Sequence, residues 1–209
     1  MKAKASVQTT LQKLAADYRK DRRNDCHHTT VLAVHSNERG TPVSRLLDAY
    51  ETAVSPSYRL FGLVDAAVDT YTPDADRSNW LLSAPGMVYL QVPSQVINAT
   101  VRLESWSSIP PEKDGNWFGR EEVEAKFPGG DLRIVSIDGG MEEIPLTLPS
   151  PGLYKMRWQW IFNGERGPFT SPLSWHTLQI LPGSDEELDG RDQYCLVQIW
   201  RVAADVKAG

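Results

Sequence analysis

The sequence is poor in the groups on which catalysis and secretion usually depend. It holds two cysteines, Cys26 and Cys195, and four histidines in 209 residues. Such sparing thiol use fits a reducing compartment, and spacing alone does not pair two cysteines. No apolar run approaches the roughly 18 to 20 residues of a membrane-spanning helix. The first residues, MKAKASVQTTLQKL, are basic but carry no apolar h-region, so the expectation is no secretory signal and a cytoplasmic protein. A phosphate-cradling glycine loop, Gly-x-Ser-x-Gly and His-Glu-x-x-His are all missing, and no cofactor is implied.

The densest group of metal-ligand types is Asp25-Cys26-His27-His28. Adjacent histidines on an extended chain point apart, so a site would need His35 or His176 from elsewhere, and no metal centre is expected. Cys195 lies inside YCLVQIW and reads as a buried structural thiol rather than a nucleophile. The pairs Glu121-Glu122 and Glu142-Glu143 fall on loops or outer strand faces, where solvation accounts for them. The expectation is therefore a protein that is not an enzyme.

What the sequence does have is uneven charge. Residues 1–23 carry seven Lys or Arg against Asp17 and Asp21, a net of +5; the total is −5, so the remaining residues carry −10. An acidic body is a poor non-specific binder of nucleic acid. It suits a basic partner.

Residues 5–23 read as an amphipathic helix, with Val7, Leu11, Leu14 and Tyr18 on one face and Lys13, Arg19, Lys20 and Arg23 opposite. If nucleic acid is bound at all, this basic helix is the segment expected to do it. Val31 to Val34 read as a short strand. Thr41 and Pro42 look like the start of a helix near 41–53, whose buried stripe would be Val43, Leu46, Leu47 and Tyr50. YRLFGLV (58–64) reads as a strand, and most of 65–85 as loop. From residue 86 the pattern is of short alternating strands between Gly/Pro turns: MVYLQV, ATVRLESW, EEVEAKF, LRIVSI, LYKMRWQWIF, WHTLQI and YCLVQIW. The expected fold is mainly β, an antiparallel β-sandwich with one or two N-terminal helices. Residues 1–28 would form a helical arm, and 29–209 a single domain.

In PGLYKMRWQW, period two puts Tyr154, Met156, Trp158 and Trp160 on one face, which reads as core. A Tyr so close after Pro-Gly matches the placement whose hydroxyl ties back to nearby backbone in Ig-like sandwiches. The acidic stretch LPGSDEELDG, 181–190, is the densest negative charge in the chain. As a contact surface it would offer Asp185, Glu186, Glu187 and Asp189, with Trp117 and Trp175 as aromatic anchors.

Residues 86–203 resemble the competence protein J family. The likeness is carried by Asn116-Trp117-Phe118, EEVEAKFPGGDLRIVSI, EEIPLTLP, PGLYKMRWQW and YCLVQIWRV. It implies a β-sandwich that inhibits a DNA-entry nuclease without catalysis of its own. The functional expectation is an interaction module, an inhibitor or immunity protein whose partner is a basic protein such as a nuclease or toxin, with no membrane association. The alternative is a sandwich that binds a small ligand or carbohydrate, or hydrolyses one, on a Trp-rich face. That reading requires several of Trp106, Trp117, Trp158, Trp160 and Trp175 to share one exposed concave patch.

Overall fold

The computed structural model describes residues 43–56, 58–69, 76–136, 140–180 and 188–202, and of 140–145 the backbone alone. The expected helix at 5–23, the strand at 31–34, the group at Asp25 to His28, Thr41, Pro42, Asp185, Glu186 and Glu187 lie outside the described residues.

The described chain is mainly β. The first sheet contains β1 (Leu46–Val54), β5 (Ala99–Trp106), β10 (Gln193–Arg201), β9 (Gly152–Phe162) and β6 (Gly119–Phe127), in that spatial order. The second contains β3 (Leu81–Ala84), β4 (Met87–Gln91), β2 (Leu60–Asp65), β7 (Asp131–Ser136) and β8 (Gly140–Thr147), again in spatial order. Among the described residues, helix is confined to a 3-10 turn at Gly164–Arg166. None of their helices is long and apolar enough to cross a membrane.

Alternation in the sequence becomes a shared core. Tyr154, Met156, Trp158 and Trp160 of β9 are buried, together with Val101 and Leu103 of β5 and Phe61, Leu63 and Leu90 of the second sheet. The Phe61 and Trp158 rings meet across the two sheets at 6.2 Å. Fully burying an aromatic of this size contributes roughly 4–6 kcal/mol of transfer free energy, so β9 dominates the core. Close packing here uses an absent side chain. A Cβ on Gly119 would lie 2.2 Å from the Trp160 ring, so only glycine lets β6 pass over that indole.

Several expectations need correction. Residues 46–54 form a strand, not the helix expected near 41–53. The i, i+3, i+4, i+7 spacing of Val43, Leu46, Leu47 and Tyr50 fits a helix, but a full antiparallel ladder with β5 overrides that local pattern. Leu81–Ala84, within a stretch read as loop, is a short strand paired to β4. WHTLQI forms no strand; it contributes a single bridge, Thr170 to Thr177. The sheets are not wholly antiparallel, because β10 pairs with β5 in parallel. The two strands are far apart in sequence, which parallel pairing requires.

The hydroxyl of Tyr154 donates to the Ser150 carbonyl at 2.7 Å, the backward tie expected from the sequence. Tyr154→Phe keeps the ring in the core and removes only this bond. We expect a loss of about 1 kcal/mol in urea unfolding; no loss would mean that the tie carries no net stability.

Candidate functional site

Strand register brings the loops that hold the sequence-predicted residues to one end of the molecule. Val54 and Gln193 both pair with Ala99, Phe162 pairs with Gln193, and Gly119 pairs with Trp160. In the second sheet Leu60 pairs with Gln91, and Leu81 with Leu90. The sheets are fastened together there. The Trp80 ring, just before β3, lies 5.4 Å from Trp160 of β9, while within the second sheet Val92 N–H donates to the Arg59 carbonyl at 2.9 Å. The Glu121 carboxylate accepts from Trp80 N–H and Leu81 N–H, both at 3.0 Å, and so ties β6 to the start of β3.

The acidic stretch finishes at this end in the turn Leu188-Asp189-Gly190. Leu188 is buried with Tyr194 and Leu196 of β10, and Trp117 and Ile161 pack against them. Trp117 stacks on Tyr194 at 6.1 Å and donates its Nε1–H to the Lys113 carbonyl at 3.0 Å. Leu188 thus moors the turn that ends the acidic segment beside a half-buried indole, and leaves Asp189 exposed. Behind the turn, Asp192 Oδ2 accepts from Asn98 N–H at 2.7 Å and fixes it to the start of β5.

Trp175 is held by other elements. It is 53% exposed. Arg59 lies over its ring at 4.7 Å and Arg77 at 5.4 Å. Asp189, Trp117 and Trp175 therefore share one end of the fold, but the two indoles have different neighbours. The sequence carried no sign of Arg59 or Arg77, which are far from Trp175 along the chain.

Through the middle of the first sheet, its outer face carries a polar ladder across all five strands. Arg102 reaches Glu51 at 3.7 Å and Glu104 at 2.8 Å. Glu104 also accepts from Trp106 Nε1–H at 3.1 Å and from Gln198 Nε2–H at 3.2 Å. Gln198 in turn accepts from Arg157 at 3.3 Å, and Arg157 donates to Glu122 at 2.9 Å. Burial pushes the Glu122 carboxyl up, but the donors on Arg157 and Lys155 outweigh it and hold it below the usual carboxylate range. Burial pulls the Arg102 guanidinium down; its hydrogen bond to Glu104 and the nearby negative charge raise it overall. Period two placed Arg157 and Gln159 on the face opposite the core, yet both are buried, because neighbouring strands and the ladder cover them.

Above the ladder is an open groove of about 360 Å³, lined by Arg102, Glu104, Trp106, Lys113, Tyr194 and Gln198 among others. The ladder is built of ion pairs and amide bonds already made to one another, and it presents no nucleophile next to a base. The other reactive candidate, Cys195, is fully buried, and burial pushes its thiol well above its ordinary value despite the Gln193 hydrogen bond. Among the described residues, no group of three or more His, Cys, Asp or Glu is arranged to hold a metal ion. The exposed Trp-rich face required by the alternative reading is not there. Trp158 and Trp160 are core, Trp106 is bonded to Glu104, and Trp175 stands apart.

No protein-family model matches the chain, and no curated protein matches it significantly. Solved structures do. The crystal structure of ComJ, inhibitor of the DNA-degrading activity of NucA, from Bacillus subtilis, aligns with a TM-score of 0.51 at 12% identity, over 77% of this chain and 99% of that one. Crocagin biosynthetic gene J aligns with a TM-score of 0.44 at 16% identity, over 76% of this chain and 98% of that one. The chain is similar in fold to ComJ, over more of its length than the C-terminal half from which the sequence resemblance was read.

Proposed function

We propose that this protein is a non-catalytic cytoplasmic β-sandwich that inhibits a nuclease or toxin by docking its loop-bearing end on a basic surface of that enzyme. The observation that carries the reading is the mooring of the acidic turn. Leu188 anchors it beside Trp117, so the exposed Asp189 that ends the acidic run lies in a turn tied to an aromatic already fixed in place. A pre-ordered aromatic next to concentrated negative charge is what a tight, electrostatically steered interface uses. The fold shared with a NucA inhibitor supports the same class of partner, as does the −10 net charge outside residues 1–23. Such a surface acts by covering the partner's substrate cleft and needs no chemistry of its own.

The test is the degradation of DNA by a basic nuclease from the same cell, with and without the protein, and the association rate followed against salt. With Asp185, Glu186, Glu187 and Asp189 all changed to Lys, association at low salt should slow by roughly tenfold or more, and the difference should shrink as salt screens it. An association rate that ignores both salt and the four changes would refute this docking mode. Trp117→Ala should instead speed dissociation, because the anchor is lost while the charge remains.

A further inference from the structure

The same end of the molecule carries a second recognition feature, of opposite charge. Arg59 and Arg77 both lie over the exposed Trp175 ring, and Tyr58 beside them is 63% exposed. Neither arginine has a carboxylate partner among the described residues, although the chain holds more acids than bases. The nearest acid in sequence, Asp76, is occupied by Ser78 and Asn79. Arg59 spends hydrogen bonds on two neutral carbonyls, those of Val92 and Thr170, which lock three loops together.

The backbone is strained at this spot. Tyr58, Arg59 and Trp175 have φ of 50°, 63° and 61°. Bulky residues avoid that left-handed region, and each exception costs stability that the surrounding structure must supply. The turn bearing Trp175 is closed by Ser171, whose carbonyl accepts from Trp175 N–H at 3.0 Å and whose Oγ accepts from the Leu173 and Ser174 N–H groups. Holding a large indole in a disfavoured conformation, more than half in water, does nothing for the core. It does present a rigid aromatic ring with two guanidinium groups that have no carboxylate partner among the described residues.

We propose that Arg59, Arg77 and Trp175, flanked by Tyr58, form a receptor for a carboxylate-bearing segment of a partner protein. The guanidinium groups would take the carboxylate by charge-assisted hydrogen bonds, and the two aromatics would cover its aliphatic stem. A nucleic-acid strand fits less well. Its repeated phosphates would face the negative field of the body, whereas one acidic segment in an otherwise neutral or basic partner would not. The inference is independent of the acidic turn and holds whether or not that turn binds a nuclease.

The experiment uses the full chain at about 0.15 M salt, where long-range repulsion is screened beyond roughly 8 Å. Three fluorescein-labelled probes are titrated by anisotropy: a Glu-rich peptide, its Gln-rich counterpart and oligothymidylate. The Glu-rich peptide should bind, and the Gln-rich one should not. Arg77→Glu and Trp175→Gly should each weaken binding by about tenfold or more. Glycine adopts φ near +61° freely, so Trp175→Gly should leave the melting temperature unchanged or raise it. If it falls, Arg77→Glu decides, since no side-chain hydrogen bond ties Arg77 to the other described residues. Three results would overturn the proposal: equal binding of the two peptides, Glu-peptide binding unchanged by Arg77→Glu, or preference for oligothymidylate. No binding of the Glu-rich peptide at about 1 mM, where the free energy available is only about 4 kcal/mol, would do the same.

Discussion

Asp65→Asn should cost the fold about 3 kcal/mol. Asp65 is fully buried at the end of β2. Its Oδ1 accepts from Ala67 N–H at 2.9 Å. Its Oδ2 accepts from Gly129 N–H at 2.8 Å and Gly130 N–H at 2.9 Å. One carboxylate thus satisfies three backbone donors and ties the β2 end to the Pro128-Gly129-Gly130 turn between β6 and β7, across the two sheets. An amide can keep one side of this arrangement. On the other, its NH2 would face N–H groups that are themselves donors. Hydrogen bonds to a charged group contribute about 1.5–3 kcal/mol each, and an orphaned buried donor costs about 1–3 kcal/mol. The three bonds share one acceptor group and do not add, hence the single figure. For a domain of this size the fall in melting temperature should be about 6–12 °C. Urea unfolding within about 0.5 kcal/mol of wild type would show that the turn finds other acceptors.

Gly62→Ala should also destabilise, against the usual sign. Alanine in a strand interior normally gains about 0.5–1 kcal/mol over glycine by restricting the unfolded chain. Here Gly62 pairs with Tyr89, and an added Cβ would lie 2.4 Å from the Val88 carbonyl oxygen and 2.8 Å from the Tyr89 Cα. Both are backbone atoms of the neighbouring strand, which cannot move without breaking the ladder. Overpacking of this kind costs about 1–3 kcal/mol, so the clash outweighs the entropic gain and a net loss of about 1–2 kcal/mol is expected. A variant that melts at or above the wild-type temperature would show that β4 yields to the extra methyl.

The parts of the fold that were legible share one property: the strand's own side chains decide it. β9 alternates large apolar with polar residues and buries the apolar set. β6 does the same, with Ala125 and Phe127 buried and Glu122, Glu124 and Lys126 outward. For β6 period two is enough, because the strand buries one face; in β9 it picks out the core face, although Arg157 and Gln159 on the other face are covered as well. β1 was not legible. LLDAYETAV supports a helical stripe as well as a strand, and the choice is made by β5, more than forty residues away in sequence and offering a whole row of unpaired backbone groups. β8 presents a related case. It carries Pro145 and pairs at a sheet edge with a register shift opposite β7, where a missing N–H is tolerated. Asp65 gave no signal because its partners are backbone N–H groups some 64 residues away.

For the surface, the sequence alone determined which residue types were available: a dense acidic run, seven tryptophans, and too few reactive groups to suggest catalysis. It also fixed, through alternation, that Trp158 and Trp160 are core and not a binding strip. Only the tertiary structure decided which groups meet. Leu188 brings the acidic turn to Trp117, and three loops distant in sequence bring Arg59 and Arg77 to Trp175. The physical reason is that burial period is a local property of the chain, set by side chains two residues apart. Contact between loops is set by strand register and sheet order, which depend on long-range backbone pairing that no local pattern encodes.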